Sequence, residues 1–205
     1  MGVYDDHVLP RIINVGCNQK SNREQRTRVC AGLSGDIVEI GFGSGLNIPH
    51  YPDAVRRVAA VEPADIGWKL ARKRLAETAT PIERSGLDGQ SLPFAEDSFD
   101  MALSTWTMCT IPDIDAALRE LRRVLKPGGR LHFVEHGLAP DENVRAWQHR
   151  LNPLQNRLFG GCNLNRPTVE LLQGAGFELV EVDEFYEQAT PKFVGAQALG
   201  VAASP

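Results

Sequence analysis

Near the start of the chain, Val8, Leu9, Ile12 and Ile13 recur at helical spacing behind Asp5 and Asp6, whose charges suit a helix N-terminus. The pattern predicts two short helices within residues 3–32, ended by Gly32-Leu33-Ser34-Gly35. The period then changes. Asp36-Ile37-Val38-Glu39-Ile40 is short, β-branched and bounded by glycine, and so predicts a buried strand. From there apolar strands alternate with amphipathic helices. Further strands are expected over 57–62, 82–87, 100–105 and 130–135, and helices over 65–79 and 114–125. In the second of these helices Ile114, Ala117, Leu118, Leu121, Val124 and Leu125 share a face opposite arginines, and Pro127-Gly128-Gly129 stops it. Helices over 142–156 and 167–174 and two closing strands over 177–184 and 192–202 complete the pattern.

Strand, helix, strand repeated in this way gives an α/β fold: one mostly parallel sheet with helices on both faces. Ligands of such sheets collect beyond the carboxyl ends of the strands, where the glycine-rich turn after the first strand falls. The 205 residues, 42% hydrophobic and 23% charged, suffice for one core without staples and exclude a fibre, a disulfide scaffold and a low-complexity tail. No internal repeat, linker or domain boundary interrupts them.

A net charge of −4 offers no footprint for nucleic acid, and no nucleic-acid partner is expected. Positive charge gathers at Lys20, Arg23, Arg26 and Arg28, which reads as a solvated helix face, with weak contact to an anionic membrane surface as the sharper reading. Cys17, Cys30, Cys109 and Cys162 stand singly, with no Cys-x-x-Cys pair, so free thiols are expected. With no secretory apolar region, no span of about 20 apolar residues and Asp6 where a myristoylation signal needs Ser or Thr, a cytoplasmic location is expected.

Candidate chemistry begins at Gly41-Phe42-Gly43-Ser44-Gly45-Leu46-Asn47. Three glycines after a buried strand let the backbone approach a ligand closely. A dinucleotide turn would place a small residue at position 46, which is Leu. The turn therefore suits an amino acid and a ribose better than a diphosphate. Glu62, at the end of the second strand, can accept two hydrogen bonds from a ribose diol. Asp88-Gly89, after the third, can meet an adenine amine through the carboxylate and offer a backbone N–H. Glu39 is expected to face the same mouth and hold an ammonium group.

Four segments in this order, Val38-Glu39-Ile40-Gly41-Phe42-Gly43-Ser44-Gly45, Val61-Glu62-Pro63, Asp88-Gly89-Gln90-Ser91-Leu92-Pro93-Phe94 and Leu125-Lys126-Pro127-Gly128-Gly129, resemble the class I S-adenosylmethionine-dependent methyltransferases. The resemblance covers 36–136. It implies a single-domain Rossmann-like fold, a seven-stranded sheet with an antiparallel last strand. It also implies S-adenosyl-L-methionine as cofactor, with S-adenosyl-L-homocysteine as product. The cofactor set it implies is Glu39, Gly41, Gly43, Gly45, Asn47, Glu62, Pro63, Asp88, Gly89, Gln90 and Thr105. The domain then divides into an N-terminal helical lid or cap (1–34), a cofactor-binding core (35–136) and an acceptor-side insertion with closing strands (137–205).

Met108-Cys109-Thr110-Ile111, Phe133-Val134-Glu135-His136 and Phe159-Gly160-Gly161-Cys162-Asn163-Leu164 are similar to the thiol S-methyltransferase branch and its soluble bacterial relatives. This resemblance implies a small-molecule acceptor, with a thiol or sulfide sulfur leading. An N-, O- or C-acceptor on a phospholipid headgroup, phenol or quinone is the alternative, and a non-catalytic cofactor-binding module is another. A thiol needs only a cationic or hydrogen-bonding neighbour, because it is already a few per cent thiolate at neutral pH. His136 is the candidate for that neighbour. Tyr4, His7, Trp106, Met108, Cys109, Trp147 and Phe159 are candidates for an apolar acceptor pocket, with Asp5 and His7 reaching it if the first helix folds over as a lid. Cys109 and Cys162 have no histidine at helical spacing and read as structural. His132 and His136 lack a further ligand cluster, so no metal is expected.

Overall fold

The computed structural model describes residues 9–188 and 190–205. Its elements follow the expected alternation: α1 (Leu9–Gly16), α2 (Lys20–Cys30), β1 (Gly35–Ile40), β2 (Val55–Val61), α3 (Asp65–Glu77), β3 (Ile82–Gly86), β4 (Phe99–Thr105), α4 (Ile114–Val124), β5 (Leu125–His136), α5 (Glu142–Leu158), α6 (Thr168–Gly174), β6 (Glu178–Tyr186), α7 (Lys192–Gly195) and β7 (Ala196–Ala203). The seven strands form one sheet in the order β3-β2-β1-β4-β5-β7-β6. The five strands β1 to β5 run parallel, and β7 enters antiparallel between β5 and β6. The turns after β1 to β5 therefore open at one edge of the sheet.

The core sits on the two faces of this sheet. Ala117, Leu118, Leu121 and Val124 of α4 are buried against Val38, Ile40, Leu131 and Phe133. Asp113 caps that helix, its side chain accepting from the Ala116 N–H at 2.9 Å. On the other face Val29 and Cys30 of α2 pack with Ile37, Leu103 and Val134. The sheet register explains the division: Ile37 and Glu39 project toward α2, and Val38 and Ile40 toward α4. No helix among the described residues is long and apolar enough to cross a membrane.

Two expectations need correction. Residues 192–195 form the short helix α7 rather than the start of the closing strand. Pro191 starts this turn, and the Glu187 N–H binds the Gly195 carbonyl at 2.8 Å, closing the chain on itself before β7 begins. Second, β5 begins at Leu125 and takes in Pro127-Gly128-Gly129, where a stop was expected. A register shift opposite Phe99–Met101 absorbs the extra residues. Reciprocal 2.8 Å bonds, Gly128 N–H to Ser204 O and Ser204 N–H to Gly129 O, hold the segment at the sheet's end.

Candidate active site

Gly41 begins the turn after β1 with φ 69°, and a Cβ there would lie 1.9 Å from Thr107 Oγ1. Only glycine permits both the left-handed backbone and this contact with the loop after β4. The turn is tied to the end of β2 by Glu62, which accepts from the Gly43 N–H at 2.6 Å and the Ala64 N–H at 2.7 Å. Burial raises the Glu62 pKa, against the lowering effect of those two N–H groups. Each carboxylate oxygen retains a lone pair for a hydroxyl.

Glu39 is placed differently from the expectation that it faces the mouth. It is fully buried, with Tyr51 and Asn47 donating to its two oxygens, the latter at 2.8 Å. Its strand position explains this, because it shares the face of Ile37 and lies beneath α2. Burial pushes its pKa up to about 7, although Tyr51, Asn47 and Arg26 pull it down. Arg26 completes the network. Its guanidinium donates to Asn47 Oδ1 at 2.5 Å and Thr105 Oγ1 at 3.1 Å, and lies 4.7 Å from the Trp106 ring centroid. Asn47 also donates to Thr105 at 3.0 Å.

Arg26 is thus a correction to the solvated helix face. It is 5% exposed, while Lys20, Arg23 and Arg28 remain at the surface. Its i, i+3, i+4 spacing with Val29 and Cys30 was the available signal. Tyr51 was also missed, having no pattern to single it out.

A pH series tests the state of Glu39. Its folded pKa, raised above the unfolded value near 4.5, means the folded chain holds its proton longer than the unfolded one. Wild-type stability relative to Glu39→Gln should therefore fall by about 3 kcal/mol as pH rises from 4.5 to beyond 7. Denaturant titrations across that range check this, and a flat difference contradicts a raised Glu39 pKa.

Asp88 stands exposed after β3, with Oδ1 accepting from the Gln90 N–H at 2.8 Å and Gln90 Nε2 at 3.0 Å. Gln90 Oε1 accepts from the Asp113 N–H at 2.8 Å, which fixes this loop to the start of α4. Gly89 lies against Ile40 and Ile111, and the Pro63 carbonyl accepts from Arg84 at 3.1 Å. Gly41, Gly43, Glu62, Pro63, Asp88, Gly89 and Gln90 therefore lie where the strands end, with Gly45, Asn47 and Thr105 buried behind them and Asn47 bonded to Glu39. A groove of about 580 Å³ between β2, β3 and residues 93–99 contains none of these groups.

The acceptor candidates divide. Trp106 adopts φ 50° directly after β4, an uncommon conformation for a bulky residue, and its N–H donates to Val134 O at 2.8 Å. Met108 packs in the main core. Trp147 is 54% and Phe159 41% exposed, so neither walls an enclosed pocket in this conformation. Gln148, next to Trp147, takes the inward position on α5. Tyr4, Asp5 and His7 lie outside the described residues. The segment expected as a lid includes α2, which is held to the sheet: His132 Nδ1 lies 2.9 Å from Val29 O.

Cys109 and Cys162, expected to be structural, come together with His136. The two sulfurs are 3.7 Å apart, and His136 Nδ1 lies 3.8 Å from Cys109 Sγ and 3.6 Å from Cys162 Sγ. Cys162 is drawn below the ordinary thiol range, first by the bond from Cys109 and then by His136, while Cys109 is driven up by the same contact and by burial. Burial opposes protonation of His136, but its contacts with Cys162 raise its pKa overall. Glu135 organises the loop from below. It accepts from Ser104 Oγ at 2.7 Å and from the N–H groups of Thr107, Met108 and Cys109 at 2.9, 3.0 and 3.3 Å. An acid directly after the buried Phe133-Val134 pair near the end of β5 was the signal for it.

The residues present fit S-adenosylmethionine. Arg26 Nε is buried without a partner beside the glycine turn, suiting a carboxylate, and Glu62 keeps acceptor capacity for a diol.

Comparison with known proteins agrees. The family described as methyltransferase domain matches residues 38–133. Human thiol S-methyltransferase TMT1A is 32% identical over 178 residues, covering 84% of this chain and 72% of its own length. The phthiotriol/phenolphthiotriol dimycocerosates methyltransferase of Mycobacterium tuberculosis H37Rv is 25% identical over 186 residues, covering 88% of this chain and 66% of its own. A crystal structure from Bacillus halodurans C-125, assigned as a methyltransferase, shares the fold with a TM-score of 0.74. It is 18% identical and covers 90% of this chain and 99% of that one. A glycine turn clamped by the acid at the end of β2, a sheet with its last strand reversed, and a relative sharing about a third of its residues lead to one assignment: the chain belongs to the class I S-adenosylmethionine-dependent methyltransferases.

Proposed function

We propose that this enzyme methylates the sulfur of a small thiol. The observation that carries the reading is the chemistry of the acceptor edge. Cys109, Cys162 and His136 form a soft, close-set group there, whereas Glu39, Glu62 and Glu135 are each already hydrogen-bonded within the site. A thiol asks little of a general base. The name of the human relative, a thiol S-methyltransferase, supports the same acceptor.

S-adenosylmethionine supplies an electrophilic methyl group on a sulfonium. The protein's part is to place and desolvate the nucleophile. In this proposal Arg26 and Asn47 meet the amino-acid end, Glu62 the ribose diol, and Asp88 with Gly89 the adenine. Glu39 orders Asn47 and Tyr51 from behind. The strained backbone at Trp106 aims the loop after β4 across the turn at Gly41, and His136 stands beside the entering sulfur. Residues 35–136 then serve as the cofactor core and 137–205 as the acceptor side.

Incubation with labelled S-adenosylmethionine and a panel of alkyl thiols, amines, phenols and quinols tests this. Methylated thiol should be the main product. Turnover of amines or phenols without thiols overturns the acceptor assignment, and tight cofactor binding with no turnover at all favours a binding module. The apolar side chains exposed on α5 and just after it, Trp147, Leu154, Leu158 and Phe159, favour hydrophobic members of the panel.

A further inference from the structure

We propose that Cys109, His136 and Cys162 bind one zinc-type cation, whose fourth coordination position receives the acceptor sulfur. The fourth-ligand role rests on the thiol reading above, while the metal site itself stands on its own geometry.

The three donors arrive from separate parts of the chain: the loop after β4, the end of β5 and the turn after α5. A tetrahedral zinc with Zn–S of about 2.3 Å and Zn–N of about 2.0–2.1 Å sets an S···S edge of about 3.8 Å and S···N edges of about 3.6 Å. The corresponding separations here are 3.7 Å between sulfurs and 3.8 and 3.6 Å from sulfur to Nδ1. A hydrogen-bonded trio of two thiols and an imidazole has comparable spacing, so metal content is the measurement that separates the two.

The positions of the donors are preset. Asn163 donates to the Cys109 carbonyl through its N–H at 2.9 Å and its Nδ2 at 3.0 Å, stitching the two cysteine loops together. The Cys109 N–H is held by Glu135, and Arg166 spans the same loop by donating to the carbonyls of Met108 and Ile111. Such supporting bonds are what fix ligand orientation in metal sites. Both cysteines are buried and His136 keeps partial exposure. Among the described residues, no fourth Cys, His, Asp or Glu joins the group. Three protein ligands with access to a fourth position is the arrangement of catalytic zinc rather than structural zinc.

Two thiolates offset the charge of a divalent cation. An entering thiol would lose its proton to solvent as its sulfur becomes the fourth ligand, because a coordinating thiol is deprotonated by the metal. That sulfur then supplies the electron pair of the new S–CH3 bond. The sulfonium C–S bond breaks, and its pair stays on the sulfur of S-adenosylhomocysteine. No atom changes its oxidation balance. The product is a neutral thioether and a poor ligand, so it leaves the position open.

The test is metal analysis of the full chain, purified without chelator and with its thiols kept reduced. About one zinc per chain is expected, with affinity lower by about a hundredfold or more in Cys162→Ser and His136→Ala. Cobalt substitution of the wild type gives a readout independent of whether those variants fold. Sulfur-to-cobalt charge-transfer bands should appear, and ethanethiol, added without S-adenosylmethionine, should shift the tetrahedral d–d bands. Less than about 0.1 metal per chain in excess zinc, or undiminished metal in both variants, overturns the site. A cobalt spectrum unmoved by ethanethiol overturns the open fourth position. Thiol turnover by metal-free enzyme refutes the metal step and leaves the thiol acceptor standing. Bound metal with turnover on phenols or amines alone does the reverse.

Discussion

Glu62→Ala should weaken S-adenosylmethionine binding about a hundredfold or more, against about tenfold for Asp88→Ala. In the proposed binding mode both acids meet the adenosyl group, but their surroundings differ. Glu62 is 6% exposed and holds the Gly43 and Ala64 N–H groups at 2.6 and 2.7 Å. In that mode its loss removes two charge-assisted bonds to the ribose diol, worth about 1.5–3 kcal/mol each. It also strands two backbone donors and frees the turn that must close on the ligand. Asp88 is exposed, and water can replace much of what its side chain offers. Calorimetric titration of both variants, with S-adenosylhomocysteine as a second ligand, reads the difference. Equal losses, or an unchanged Glu62 variant, would contradict the ribose assignment.

Arg26→Ala carries the second large effect, on stability. The guanidinium is buried among Asn47, Thr105 and Trp106, and its charge lowers the pKa of Glu39. Removing it leaves a buried carboxylate without its nearby cation, at a cost of about 2–4 kcal/mol above pH 8. For a domain of this size that corresponds to a melting temperature lower by roughly 5–15 °C. The sign of the pH dependence follows from Glu39, whose pKa of about 7 already exceeds its unfolded value. At pH 5.5 Glu39 is protonated in both folded proteins, so the Coulombic loss vanishes and only the lost hydrogen bonds remain. Thermal melts should therefore show a deficit that grows from pH 5.5 to 8. A deficit independent of pH would mean that Arg26 acts by packing alone.

The alternation of strand and helix was legible because each element repeats a period many times, as Ile114 to Val124 does on α4. The cofactor edge was legible because its residues lie in short local runs, as in Gly41 to Asn47. What escaped depends on chain segments meeting in space. Arg26 carries the same charge as its neighbours in α2, and only the turn of the helix decides that it faces Asn47 while Arg28 pairs with Asp183 at the surface. Cys109 and Cys162 were read singly, since 52 intervening positions hide a 3.7 Å approach that the loops after β4 and α5 create. Glu39 was recognised as important but assigned the wrong orientation, because a strand's alternation does not say which of its faces a neighbouring helix, here α2, will cover.

The place of β7 decides how the last third of the chain is held to the sheet. β5 and β6 never touch; β7 lies between them, pairing His136 with Gln197 on one side and Tyr186 with Ala196 on the other. The β6–β7 pairing is local along the chain, whereas the β5–β7 pairing closes a loop about as long as the one between β1 and β4. Cys162 lies inside that loop and Cys109 and His136 outside it. The segment that carries Cys162 leaves the sheet at the end of β5 and returns to it where Gln197 pairs with His136, so both of its ends are fixed beside the histidine.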